Sequence, residues 1–339
     1  MMSAAIPPVM RAVELRVPGG PDALEFVNRP TPTCGPGDVL VNARAIGTGG
    51  PDVLIRKGIY KWMPPLPATP GNELAGVIVA TGSEVDPSRI GERVFVSSRE
   101  LEHRGGCYAE YIAVPADAPF PFPQEISDAQ ACSLGNVQLA QAMLLGCNGG
   151  LKAEAILVPG AAGGVATALV QLARHHGITV IGTASTEAKQ AHALAHGVNV
   201  LVDPDPALMP VEVLNATGGR GVDLAFDHVG GALLIACIRS LAPLGTAISY
   251  NIAGGPPASD VFMELRAHLA KSLAVRTFSI HTFDRDRAQR HALMLLAIEL
   301  MREGAVRAAP TRELPLEEAR QAHALLDQGA MLGKMVLVP

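Results

Sequence analysis

Up to about residue 125, apolar and polar positions alternate in short runs at residues 12–17, 39–46, 74–81, 93–97 and 109–114. Alternation at a period of two marks strands with one buried face. Turn formers separate the runs, as at 34–38 and 64–71, so this part predicts a compact, mostly β domain with little helix. From about Asp128 the period lengthens. Ala/Leu-rich stretches of helical spacing separate β-branched runs at 155–158, 179–183, 200–202, 224–227 and 246–251. Strands alternating with crossover helices build a parallel sheet covered on both faces. A sixth run, 273–280, follows a helix ending near Lys271. A helix over 284–303, another over 315–328 and a strand at 335–338 complete the pattern. Periodicity alone leaves open which half these last elements join.

The chain has 339 residues, room for two domains, and its 48% hydrophobic and 17% charged content suits a globular protein with much buried sheet. A formal net charge of −5 provides no basic field for nucleic acid or anionic lipid, so small-molecule partners are expected. The five cysteines, Cys34, Cys107, Cys132, Cys147 and Cys237, are scattered and odd in number. They make a poor disulfide framework and fit a reducing, cytoplasmic setting, with Cys107 and Cys132 read as small apolar packers. Residues 1–11 carry little positive charge and two prolines, so no signal peptide is expected. No apolar run approaches the ~18 residues a membrane span needs.

One segment carries recognisable chemistry. Ala155-Ile-Leu-Val-Pro-Gly-Ala-Ala-Gly-Gly-Val-Ala-Thr167 reads as strand, tight glycine turn and helix start. The first amides of a helix lack partners and carry partial positive charge, and Ala162, Gly163, Gly164 and Val165 let a pyrophosphate approach them closely. A strand at the right distance follows, with Gly182 near its end. Folds that bind NAD usually end that strand in an acid that holds the ribose diol. Here the text is Gly182-Thr-Ala-Ser-Thr-Glu-Ala-Lys189, which leaves room for a 2′-phosphate, with Ser185 to donate a hydrogen bond and Lys189 to supply charge. NADPH is therefore the expected cofactor. Taken singly, Ser185 reads equally as a helix cap and Lys189 as a solvated helix lysine.

The sequence resembles the zinc-free quinone oxidoreductases of the medium-chain dehydrogenase/reductase superfamily along almost its full length. The resemblance rests on Gly35-Pro-Gly-Asp-Val-Leu-Val41, Asp52-Val-Leu-Ile-Arg-Lys-Gly-Ile-Tyr60, Pro70-Gly-Asn-Glu-Leu-Ala-Gly-Val77 and Gly106-Cys-Tyr-Ala-Glu-Tyr111. It continues through the glycine turn, Thr217-Gly-Gly-Arg-Gly-Val-Asp-Leu-Ala-Phe-Asp227, Val229-Gly-Gly231 and Gly333-Lys-Met-Val-Leu337. It implies an α/β fold: a Rossmann doubly wound parallel sheet at 127–283, and a GroES-like, mostly β catalytic domain formed by 1–126 and 284–339. It also implies metal-free conjugate reduction, in which hydride from NADPH goes to a quinone or an α,β-unsaturated carbonyl and charge builds on the carbonyl oxygen. Tyr60 matches a tyrosine beside the substrate cleft. Gln141, Val229, Asn251 and Phe278 join the glycine-turn residues, Gly182, Ser185 and Lys189 as cofactor contacts. A homodimer joined through the 273–280 strand is implied as well.

Zinc members of the superfamily carry Gly-His-Glu where this chain has Gly71-Asn72-Glu73, and a cluster of four cysteines that is absent here. No metal is therefore expected. Further departures are Gly49 for Asn, Gln141 for Thr, Ala166 for Gly and Pro204 for Tyr. They keep two other readings open: a dinucleotide-binding protein with little turnover, and an accessory enoyl reductase of a biosynthetic pathway. His228 is read as a loop histidine and Asp227 as a structural acid at a strand end.

Overall fold

Strand pairing organises the chain into two units, Met1–Gly135 with Ala308–Pro339, and Asn136–Arg307. The computed structural model describes residues 5–147, 149–150, 152–308 and 311–339. The first four residues of the amino-terminal stretch considered above lie outside the described residues.

The first unit is built on a seven-stranded sheet ordered Thr311–Pro315, Lys334–Val338, Asp38–Thr48, Glu73–Thr81, Arg93–Ser97 and Phe120–Pro121, with Tyr111–Pro115 also paired to Asp38–Thr48. All pairs are antiparallel except the first. Alternation puts Val39, Val41, Leu74, Ile78, Val94, Val96 and Leu337 into one core, because residues two apart share a face. Val9–Leu15 and Leu24–Pro30 form a separate antiparallel hairpin. The second of these strands was not expected, since only Leu24 in it is buried. A short helix, Gly50–Arg56, was also not expected; Pro51 at its start and the Asp52 carboxylate accepting from Gly49 N at 2.8 Å begin it.

The C-terminal segment is held in this unit by buried polar contacts. Arg56 is fully buried, and its Nη2 meets the Asp327 carboxylate at 2.7 Å, which Lys57 also reaches at 2.9 Å. Beside them the Tyr108 hydroxyl lies 3.1 Å from His323 Nε2. Burial, with the nearby Arg56 charge adding to it, pushes the His323 imidazole down to about 3, so the ring is neutral.

The second unit is a six-stranded parallel sheet. Its order is Val200–Val202, Thr179–Thr183, Ala155–Val158, Val222–Asp227, Leu241–Ser249 and Ala274–Thr277. Helices Gly164–His175, Glu187–His196, Met209–Ala216 and Gly231–Arg239 connect the first five strands. The order reverses between the strands at 155 and 222, and in open α/β sheets such a reversal opens the crevice in which ligands bind. The edge strand is shorter than its pattern. It covers Ala274–Thr277, and the chain turns at Ile280–Phe283.

The return to the first unit falls near residue 308 rather than at 284. Helix Arg287–Arg302 buries Met294, Ala297, Ile298 and Met301. Gln138 Nε2 donates to the Arg290 carbonyl at 2.9 Å, and Gln171 pairs with both backbone groups of Arg307. The helix therefore stays with the second unit, whereas strand Thr311–Pro315 and helix Ala319–Asp327 belong to the first.

Candidate functional site

The glycine turn sits at the reversal point of the parallel sheet. Gly160 N donates to Thr183 Oγ1 at 3.1 Å and Ala161 N to the Thr183 carbonyl at 2.9 Å, which locks the turn to the neighbouring strand. Gly160 has φ +59° and Gly163 closes the turn by donating to the Gly160 carbonyl at 3.0 Å. Gly163 is then the N-cap of helix Gly164–His175 and offers no side chain to its first amides. Those amides, from Gly164 onward, carry the partial positive end of a twelve-residue helix. Gly182 supports the turn from below, since a Cβ there would lie 3.0 Å from the Ala161 side chain.

At the end of the second strand Ser185 is exposed. Thr186, not Ser185, caps helix Glu187–His196, its hydroxyl accepting from Lys189 N at 3.3 Å. The Ser185 hydroxyl is thus not needed for the cap, and Lys189 stands in the first turn of that helix. On the other side of the turn, the Asp227 carboxylate ends its strand. One oxygen accepts from Val229 N at 3.0 Å and Gly230 N at 2.8 Å, and the other from the Ser249 hydroxyl at 2.9 Å. Asp227 is the structural acid expected, and it fixes the loop that carries Val229. The His228 ring lies against the turn, its Cε1 2.8 Å from where a Gly160 Cβ would stand.

Gln141 is buried at 2% exposure on helix Leu134–Gly146, and its Oε1 has no partner. Asn251 is exposed with its Oδ1 accepting from Ile252 N, while Phe278 is half-buried, its ring centroid 6.5 Å from that of Phe283. The sheet reversal brings together residues 160–165, Gly182, Ser185, Lys189, His228 and Val229. Tyr60 belongs to the first unit, half-buried against its core, with its ring 5.6 Å from that of Trp62.

A polar network in the first unit was not legible from sequence. Asn72 Nδ2 donates to Asp52 Oδ1 at 2.7 Å while Asn72 Oδ1 accepts from the Ser98 hydroxyl at 2.8 Å. Lys334 is buried and pairs with Glu73. Burial raises the Asp52 carboxyl to about 6, against the lowering effect of the Asn72 hydrogen bond.

Two family models match the chain, "Alcohol dehydrogenase GroES-like domain" over residues 35–124 and "Zinc-binding dehydrogenase" over 196–337. A rat quinone oxidoreductase is 30% identical over 97% of this chain and 98% of its own length. A mouse synaptic vesicle membrane protein VAT-1 homolog is also 30% identical, over 98% of this chain and 84% of its own. Among solved structures, a mycobacterial protein in complex with NADPH has a TM-score of 0.86 at 30% identity, covering 97% of this chain and all of its own. The fold is that of the medium-chain dehydrogenase/reductases, a GroES-like domain with a Rossmann domain. Within that superfamily the chain belongs to the quinone oxidoreductase-like group.

The zinc in one model's description does not fit the residues present. Asn72 stands where zinc members carry the histidine, and both of its amide atoms are committed to Asp52 and Ser98. Among the described residues no group of three or more His, Cys, Asp or Glu is placed to hold a metal ion. A dinucleotide does fit. The turn is an open cradle, and two buried atoms beside the sheet, Gln141 Oε1 and His228 Nδ1, lack partners, a state that buried polar atoms seldom keep. Among the described residues no helix is long and apolar enough to cross a membrane.

Proposed function

We propose that this protein is a metal-free, NADPH-dependent oxidoreductase that reduces a quinone or an α,β-unsaturated carbonyl by conjugate hydride addition, and that it works in the cytoplasm. The observation that carries the reading is the glycine turn, whose unpaired helix amides form an anion cradle at the sheet reversal. Residues 162–165 hold the pyrophosphate. Ser185 and Lys189 hold the 2′-phosphate, and Gln141 offers a buried acceptor to a donor on the cofactor. Val229, Asn251 and Phe278 flank the cofactor. When bound, NADPH supplies hydride from C4 of its nicotinamide. The Tyr60 phenol donates to the substrate carbonyl oxygen, where negative charge develops, and passes it a proton. The test is NADPH oxidation across a panel of quinones, enones and enoyl thioesters, and failure of every acceptor would sink the proposal.

A second reading, a dinucleotide binder with little turnover, draws on Gly49. A Cβ there would meet only Lys334 Nζ and Pro51 Cδ, each at 3.7 Å, so no amide stands in for the asparagine that the family resemblance leads one to expect at this position. Tight NADPH binding without consumption would favour this reading.

Two expectations accompany the proposal. Lys189→Ala weakens NADPH by about 1–2 kcal/mol, the worth of one charge-assisted hydrogen bond at a partly exposed site, and leaves NADH nearly unchanged. Titration with both nucleotides checks this, and equal losses would remove the assignment. The second concerns assembly as a homodimer through strand Ala274–Thr277. Phe278 N donates inward to the Ser249 carbonyl at 2.9 Å, so by alternation the N–H groups of Val275 and Thr277 face the open edge. Exposed edges of this kind invite pairing. Light scattering should give twice the 35.3 kDa chain mass, and Val275→Pro should give a monomer, because it removes an outward donor. A single-chain mass for the unmodified protein would refute the dimer.

A further inference from the structure

His228 carries a ring nitrogen that has no hydrogen-bond partner. Its Nδ1 is buried and unpaired. The neighbouring acid is unable to serve it, because the Asp227 carboxylate is spent on Val229 N, Gly230 N and the Ser249 hydroxyl. The ring instead turns its Cε1–Nε2 edge to the glycine turn, with Cε1 at 2.8 Å, Nε2 at 3.2 Å and Nδ1 at 4.0 Å from the place of a Gly160 Cβ. On its other side is Tyr250, with ring centroids 6.2 Å apart and planes tilted by 31°. A buried imidazole nitrogen without a partner costs free energy of the order of a lost hydrogen bond. The ring therefore touches the glycine turn that leads into helix Gly164–His175.

We propose that His228 is a cofactor-binding residue whose ring N–H donates to the dinucleotide pyrophosphate, and that it gains a proton as the nucleotide binds. This rests on the dinucleotide reading above. The titratable groups facing the ring are the Asp227 carboxylate on its own strand end and the Tyr250 phenol. The turn, Thr183 and the loop at 252–255 present none. In the free protein, burial holds the imidazole below its ordinary value, with Asp227 opposing that effect, so the ring is neutral at pH 7. A pyrophosphate beside it favours the charged form and raises its pKa. The charged form binds better, so affinity is greatest at low pH and falls as pH rises through the pKa of the complex. A shift of about one unit corresponds to about a tenfold change in Kd.

The test uses NADH as well as NADPH, because the 2′-phosphate of NADPH itself titrates near pH 6. Calorimetric titrations at pH 6, 7 and 8, in buffers of different ionisation enthalpy, report both Kd and proton uptake. With the unmodified protein, NADH should bind several-fold more tightly at pH 6 than at pH 8, approaching tenfold only well below both pKa values, and take up part of a proton near pH 7. His228→Asn and His228→Gln should bind both nucleotides about tenfold more weakly at pH 6, with no proton uptake and an unchanged Tm. Lys189→Ala should keep the proton uptake and lose only the preference for NADPH. Variants that match the unmodified protein in Kd and proton uptake would overturn the inference and leave the dinucleotide reading intact. A loss that is equal at all pH values without proton uptake would point to a neutral ring on a ribose hydroxyl, and would also overturn it. Failure of the unmodified protein to bind either nucleotide would overturn both.

Discussion

Gly163→Val is expected to reduce NADPH affinity by about 100-fold, or roughly 2.7 kcal/mol, with little change in melting temperature. Gly163 has φ −76° and ψ 161°, which any residue adopts, and the nearest atom to a Cβ there is the Gly160 carbonyl oxygen at 3.5 Å. The fold therefore tolerates a side chain at this position. Two methyl groups at the N-cap would nevertheless occupy space that an anion needs to reach the helix amides. Nucleotide titration and a thermal melt check the two halves of the prediction separately. Unchanged affinity would mean that the pyrophosphate lies elsewhere.

Asp327→Asn is expected to destabilise the first unit by about 3–5 kcal/mol, since it leaves the charge of a fully buried Arg56 uncompensated. Arg56 Nε and Nη1 have no partner to take up the difference. Lys57→Gln, which removes the half-exposed partner of the same carboxylate, should cost no more than about 1 kcal/mol. Thermal or denaturant unfolding of the two variants gives the comparison. Similar losses in both would show that the pairing is a surface effect.

Strand and helix periodicity in the sequence anticipated the parallel sheet well, because its central strands are short, mostly buried apolar runs between helices. Ala155–Val158, Thr179–Thr183 and Val200–Val202 have the bounds read from the text. The edge strand ends sooner than its apolar run because the chain turns at Ile280–Phe283, and the apolar character of Phe278 and Ile280 goes into packing at that turn rather than into further strand. Amphipathicity shows that helix Arg287–Arg302 has an apolar face but not what covers it, and the family resemblance, which places 284–339 in the first domain, sets the boundary about 24 residues too early for this chain. The glycine turn was legible because strand, turn and helix are contiguous. The Asn72 network and the Arg56 pair were not, because their partners are far along the chain: Asp327 lies 271 residues from Arg56. The place of the His228 ring is hidden for a related reason. Nothing in the text shows that its ring would land on Gly160.

The first unit takes its strands from both sides of the second, and this imposes an order on folding during synthesis. Strand Asp38–Thr48 leaves the ribosome early, yet one of its neighbours is Lys334–Val338. Arg56 is made early too and waits for Asp327. With 271 residues between them, at roughly 5–20 residues per second the wait is about 14–54 s. Over that interval the whole second unit is complete and free to fold, while the first has an unpaired strand edge and an apolar face still lacking Met335 and Leu337. The nascent chain is therefore most exposed to aggregation, and most in need of a chaperone, before its last thirty or so residues emerge. Ribosome-arrested chains ending near residue 307 should show a protease-resistant second unit and a protease-sensitive first.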